Sequence, residues 1–205
     1  MTIIYLIRHG ESIYNTMHIV QGDDDDKSNT LSPHGREQAE SVAVKLSDVE
    51  VNQIYCSPLI RAHETAIIIS ANNSMTPVVY PKLHEKKQAM QGMKEAEMLA
   101  KYKNWATMSE DERLDIKVTP KEESQREVLT RALQTIRDIS GKHPDQTVFC
   151  ITHGGFMRAL YTHLAKLSLK DMWHFKNCGY LKIQVEGANI KILETDQLEL
   201  KSLLP

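Results

Sequence analysis

Two short segments of the chain end an apolar run with a histidine followed by glycine. One reads Leu6-Ile7-Arg8-His9-Gly10-Glu11-Ser12, the other Cys150-Ile151-Thr152-His153-Gly154-Gly155. A third apolar run, Gln53 to Cys56, leads into Ser57-Pro58 and then Arg61. A neutral imidazole is a nucleophile or a proton carrier. A guanidinium is a planar fork that grips phosphate oxygens in pairs. Two histidines and two arginines drawn to one point would form a pocket for a phosphoryl group. A single His-Gly carries little weight, because a lone histidine is more often structural or exposed. Two at equivalent places, with Arg8 beside one and Arg61 beyond a third run, carry much more.

For these residues to meet, the runs before them must be neighbouring parallel strands. Ligands of open parallel sheets bind outside the carboxyl ends of the strands. The pattern supports this. Ile3 to Ile7 reads as a strand buried on both faces. Ser32-Pro33 opens a helix whose apolar stripe is Ala39, Val42, Ala43 and Leu46. Gln53 to Cys56 is a second strand, and Arg61 to Ala71 a helix carrying Ala62, Thr65, Ala66 and Ile69. A strand is expected near Pro77 to Tyr80. Thr119-Pro120-Lys121-Glu122 has the form of a capping box and predicts a helix bearing Val128, Ala132, Ile136 and Ile139 that stops at Gly141. Thr147 to Thr152 is a strand and Phe156 to Leu164 a helix. Tyr180 to Val185 and Asn189 to Leu193 are strands joined at Glu186-Gly187. The alternation implies an α/β fold: a three-layer α/β/α sandwich with a mostly parallel central sheet. Residues 72–118 fit it less well. They predict a helix from Lys94 to Lys103 within a lid-like insertion at about 86–118. The whole of 1–205 is expected to be one domain.

The composition excludes several classes. Lys plus Arg is 25 and Asp plus Glu 27, a net charge of −2, so no general basic field is available for nucleic acid. No apolar run approaches the roughly 18 residues that span a bilayer. Three cysteines are too few for a disulfide framework, and a reducing cytoplasm is the expected setting. Cys56 and Cys150 lie inside strands, outside any glycine-rich anion loop, and read as small buried hydrophobes. No His or Cys pair has metal-ligand spacing, so no metal is expected. The run Asp23 to Asp26 reads as a solvated loop. The lysines at 82, 86, 87 and 94 read as a solvated face, and Met90, Met93 and Met98 as helix core.

Together these segments resemble the signature of the histidine phosphatase superfamily, in its phosphoglycerate-mutase-like branch. Asn15 is similar to the family's phosphate-contacting Asn, and Gln21-Gly22 to its substrate-loop pair. Leu31-Ser32-Pro33-His34-Gly35-Arg36-Glu37-Gln38-Ala39 resembles its "Leu-Thr-x-x-Gly-x-x-Gln-Ala" helix start. Cys56-Ser57-Pro58-Leu59-x-Arg61-Ala62-x-Glu64-Thr65-Ala66 is similar to its second motif, and Thr152-His153-Gly154-Gly155-Phe156-Met157-Arg158 to its third. Glu123-Ser124 and Arg131 resemble the segment that opens its long helix.

The resemblance implies a metal-independent phosphatase with no cofactor, acting on a small phosphorylated metabolite. His9 would be the nucleophile, with its other ring nitrogen donating to a backbone carbonyl. Arg8, Arg61 and His153 would hold the phosphoryl group, helped by Asn15, Gln21, Gly22 and Gly154 and by backbone amides after each His-Gly turn. Glu85 stands where the family places its general acid; neighbouring His84 would have no catalytic part. Ala89 departs from the pattern, standing where the family has Gly, and Gln91-Gly92 falls one residue early. Both are expected to reshape the loop after Glu85. The first alternative is a cofactor-dependent phosphoglycerate mutase. It is disfavoured because the chain lacks the paired arginines that such enzymes resemble one another in having. The second alternative is a catalytically weak module that binds phosphorylated ligands.

Overall fold

The structure, a computed structural model, describes residues 1–71, 74–94, 96–98 and 104–201. In chain order its elements begin with β1 (Thr2–Arg8), α1 (Ile13–Thr16), α2 (Pro33–Lys45), β2 (Gln53–Cys56), α3 (Ile60–Ala71) and β3 (Val78–Val79). They continue with α4 (Glu110–Asp115), α5 (Gln125–Lys142), β4 (Thr147–Thr152), α6 (Gly154–Leu164), β5 (Met172–Phe175), β6 (Tyr180–Glu186), β7 (Asn189–Thr195) and β8 (Leu198–Lys201).

Successive side chains of a strand face opposite sides of the sheet, and β1 is apolar on both. Ile4 and Leu6 pack against Ala132, Ile136 and Phe156 of α5 and α6. Tyr5 and Ile7 pack against Ala39, Val42 and Ala66 of α2 and α3. Such a strand must be covered on both faces, which makes the third layer obligatory. The sheet has six strands in the order β3-β2-β4-β1-β6-β7. β3, β2, β4 and β1 run parallel, while β6 and β7 add an antiparallel edge. The two strands that end in His-Gly are therefore adjacent at its centre.

Several boundaries differ from expectation. The helix predicted from Thr119 begins at Gln125. The same Ser-x-x-Glu chemistry occurs one turn later, where the Ser124 side chain accepts from Glu127 N and Glu127 accepts from Ser124 N. Thr119 to Glu122 is only a turn, closed by Glu122 N on Thr119 O at 3.1 Å. The helix also continues past Gly141 to Lys142. β3 is shorter than expected, two exposed valines at the sheet edge. β5 and β8 form a separate two-stranded ribbon that no sequence period announced. In the insertion, residues 96–98 are helical, and the rest of the helix predicted from Lys94 to Lys103 lies outside the described residues or is not helix. Among the described residues no helix is long and apolar enough to cross a membrane.

Candidate active site

The register of the central strands builds the site. Arg8 of β1 pairs with Thr152 of β4, so the residues that follow, His9 and His153, leave the sheet side by side. Their ring centroids are 5.1 Å apart. His9 N donates to Thr152 O, and His9 Nδ1 lies 2.7 Å from Gly10 O. A carbonyl only accepts, so Nδ1 carries the hydrogen and Nε2 keeps a free lone pair. Burial, then the Arg61 and Arg8 charges, hold the His9 pKa well below the ordinary value, so the ring is neutral near pH 7.

His153 is fully buried and its pKa is likewise depressed, first by burial and then by Arg61. Its Nε2 lies 2.7 Å from Ser57 Oγ. Among the described residues, Nε2 is the only acceptor within reach of that hydroxyl's single proton. Giving its own proton to Nε2 leaves the hydrogen of His153 on Nδ1. Nδ1 is buried and has no partner among the described residues. A buried donor without a partner is costly, and a phosphoryl oxygen beside His9 would satisfy it.

Arg61 is 1% exposed, and burial lowers its pKa to about 10, which still leaves it charged near neutral pH. Two of its N–H groups hold the loop below α1: Nη2 donates to Gly22 O at 2.8 Å and Nη1 to Asp24 O at 3.4 Å. Gly22 presents its carbonyl from a φ of +54°, a conformation that glycine adopts without strain. Arg61 Nε is buried without a partner among the described residues. Arg8 is steadied by Nη1 donating to Phe175 O at 2.6 Å. Gly154 packs beside the guanidinium: a Cβ there would lie 3.4 Å from Arg8 Nε, an ordinary van der Waals contact. Asn15 Oδ1 accepts from Ser12 N, and Gln21 Oε1 from Ser12 Oγ and Asn29 Nδ2. Both amides are thereby oriented with their NH₂ groups left to donate. Arg8, Asn15, Gln21, Gly22 and Arg61 border a cleft of about 140 Å³.

Glu85 follows the 3₁₀ turn Pro81–Leu83. Its carboxylate accepts from Gly155 N at 3.0 Å and Phe156 N at 3.1 Å, and from Lys86 N at 2.7 Å. The first amides of a helix have no intrahelical acceptor and favour an anion. The amides of α6 were expected to meet the phosphoryl group; these two hold the carboxylate instead. Gly10 N is also engaged, donating to Thr65 Oγ1 at 3.0 Å.

Of the residues singled out in the sequence, Arg8, His9, Asn15, Gln21, Gly22, Arg61 and Glu85 line the cleft. His153 adjoins His9, and Gly154 packs beside Arg8 rather than lining the cleft. His84 points its Nδ1 at Glu85 O, 2.6 Å away. Ala89 is not in the left-handed region; in its loop Gly92 carries the positive φ, +82°. Three expectations are corrected. Lys86 is buried against Glu122, not on a solvated face. Met98 lines the cleft. The aspartate run is partly buried, with Asp26 accepting from Tyr14 Oη. Cys56, Cys150 and Cys178 are buried, and burial raises the Cys56 thiol to about 11 and that of Cys178 to about 12. Sequence reasoning gave no role to Ser57, Gln88 or Asn177. Asn177 Nδ2 donates to His9 O at 3.0 Å. Its placement depends on Cys178 at φ +60°, which no local signal announces. Among the described residues, no three His, Cys, Asp or Glu side chains converge as metal ligands.

Known proteins resemble this chain in sequence and in fold. A family profile, the histidine phosphatase superfamily (branch 1), matches residues 4–197. The chain is 30% identical over 203 residues to phosphoserine phosphatase 1 of Hydrogenobacter thermophilus, covering 95% of this chain and 92% of that one. It is 28% identical over 179 residues to a 2,3-bisphosphoglycerate-dependent phosphoglycerate mutase of Cytophaga hutchinsonii, covering 85% and 82%. A solved phosphoserine phosphatase variant from Entamoeba histolytica, in complex with phosphoserine, shares the fold. Its TM-score is 0.79 at 22% identity, covering 96% of this chain and 97% of that one.

Proposed function

The chain belongs to the histidine phosphatase superfamily, and on that premise we propose that it hydrolyses a small phosphomonoester through a phosphohistidine on His9, without a metal. The carrying observation is the bond between His9 Nδ1 and Gly10 O, which fixes the tautomer and leaves Nε2 as the nucleophile. Nε2 attacks phosphorus, and the P–N bond forms as the bond to the ester oxygen breaks. Glu85 gives the leaving oxygen its proton. The resulting carboxylate takes a proton from water, whose oxygen displaces His9 from phosphorus. Arg8, Arg61, His153 Nδ1 and the Asn15 amide stabilise the transferring group, and such positioning and charge stabilisation dominate phosphoryl transfer.

Hydrolysis is favoured over mutase chemistry by the outer cleft. Ile19, Val20, Gln88 and Met98 form it, and among the described residues they add no cation beyond Arg8 and Arg61 for a substrate carboxylate. The three buried thiols, none in a disulfide, support a cytoplasmic setting.

The test is phosphate release from p-nitrophenyl phosphate between pH 5 and 8, with and without EDTA, in wild type and His9→Ala. EDTA-resistant turnover that disappears in His9→Ala is expected. Turnover that survives in His9→Ala overturns the nucleophile. Isomerisation of 3-phosphoglycerate without net phosphate release would overturn hydrolysis in favour of the mutase.

A further inference from the structure

We propose that Arg131 is a positioning residue for the proton donor: it clamps the backbone that carries Glu85. The inference rests on Glu85 being the general acid of the proposed function.

Residues 84–88 have neither helix nor strand to hold them. Glu85 nevertheless meets two specific amides of α6, so something else fixes its backbone. Arg131, on α5, does so. Its Nη1 donates to Lys82 O at 3.0 Å and to His84 O at 2.9 Å, and its Nη2 to Glu85 O at 3.4 Å. On its other side Arg131 grips Glu123 bidentately, Nε to Oε1 at 2.9 Å and Nη2 to Oε2 at 2.7 Å. Glu123 extends the clamp along the loop. Its carboxylate accepts from Lys87 N at 2.9 Å, and its own amide donates to Lys87 O at 3.0 Å. Three carbonyls before and at Glu85, and one amide after it, are thus tied to a single ion pair.

The same guanidinium lies 5.5 Å over the Phe156 ring, and Phe156 N is one of the two α6 donors to Glu85. Arg131 therefore touches both parts of the carboxylate's seat, the loop that carries it and the residue that receives it. Its side chain is 13% exposed and that of Glu123 15%, so water competes little for these bonds. The planar fork matters: an ammonium cannot span three carbonyls and a bidentate carboxylate at once.

A positioning role differs measurably from a merely structural one. An alkoxide leaves poorly unless it is protonated, whereas nitrophenolate leaves readily without a proton. Misplacing Glu85 should therefore harm alkyl esters selectively, while general loosening should harm both classes alike. The experiment compares kcat/KM, which covers the steps through phosphohistidine formation, for p-nitrophenyl phosphate and an alkyl ester. The alkyl ester is phosphoserine, or the best of a panel of sugar and hydroxy-acid phosphates. Wild type, Glu85→Gln, Arg131→Met, Arg131→Lys and Glu123→Gln are measured. The alkyl-to-aryl ratio is expected to fall at least about tenfold in both Arg131 variants, in the direction set by Glu85→Gln. Failure of Arg131→Lys to rescue assigns the effect to the fork rather than the charge. If Arg131→Met does not fold, Arg131→Lys and Glu123→Gln carry the comparison. A ratio within about twofold of wild type in the Arg131 variants, while Glu85→Gln lowers it, overturns the proposal alone. An unchanged ratio in Glu85→Gln overturns the acid assignment and the proposal with it.

Discussion

The Glu85 carboxylate occupies the space that a side chain at position 155 would need. A Cβ on Gly155 would lie 2.5 Å from Glu85 Oε1 and 3.1 Å from its Cδ. Gly155 is not at positive φ, so the backbone would accept alanine. Alanine would displace the carboxylate, the end of a flexible side chain, from its α6 amides and would lie 3.3 Å from Lys86 Cβ. Gly155→Ala is expected to hold its melting temperature, since alanine favours the helix. Its kcat/KM on an alkyl phosphate should fall by about a hundredfold. Full activity in a folded Gly155→Ala would show that Glu85 needs no seat on α6.

Ser57 sets the tautomer of His153 through the 2.7 Å bond to Nε2. Without the hydroxyl, the ring can place its hydrogen on either nitrogen, and Nδ1 is no longer held as a donor. Loss of one such bond costs about 1.4 kcal/mol, or tenfold. Ser57→Ala should weaken inorganic phosphate binding by about that factor, as measured by competitive inhibition. Unchanged phosphate affinity would show that His153 is oriented by something else.

Lys86 and Glu122 form an ion pair at 3.3 Å with side chains 6% and 0% exposed. Their mutual attraction offsets desolvation only while both are present. Lys86→Met takes one cation from a fully buried carboxylate that keeps its Val118 N donor, which costs about 1–3 kcal/mol. Lys86→Met with Glu122→Met should recover much of that loss, because the burial of charge is then removed altogether. Urea denaturation of the single and double variants checks both. A double variant less stable than the single would show that the pair is a net stabiliser.

Legibility in the sequence followed the range of each interaction. β1, β2 and β4 were readable because continuous apolar runs end at Arg8, Cys56 and Thr152, and the site lies one residue beyond. Glu85 was found only through resemblance. Its seat on α6 joins positions 70 residues apart, and no local period encodes that. Lys86 looked like one of several surface lysines; only the packing of Glu122 shows it to be buried. Thr119 and Ser124 both satisfy the capping pattern, and tertiary contacts of Glu122 and Glu123 decide that α5 starts after the second. The tautomer bonds of His9 and His153 are likewise products of the assembled sheet ends.

The burial that makes His9 nucleophilic should also make the protein acid-sensitive. His9 and His153 have folded pKa values held below the ordinary 6.5, mainly by desolvation. The unfolded chain binds protons at these histidines near pH 6.5, while the folded chain resists. Between the folded and unfolded pKa values the unfolded state carries more protons, so stability rises with pH there and is complete above about 6.5. It is lost progressively as pH falls below that value, by about 1.4 kcal/mol for each unit of depression. Urea midpoints should accordingly drop between pH 7 and 5 in wild type. His9→Asn and His153→Asn each remove one such imidazole, and each should flatten the drop, with the double variant flattest. A slope identical in all four proteins would show that these rings are not held neutral by burial. Retention of the slope in His153→Asn alone would assign the depression to His9, the nucleophile that must stay unprotonated to attack.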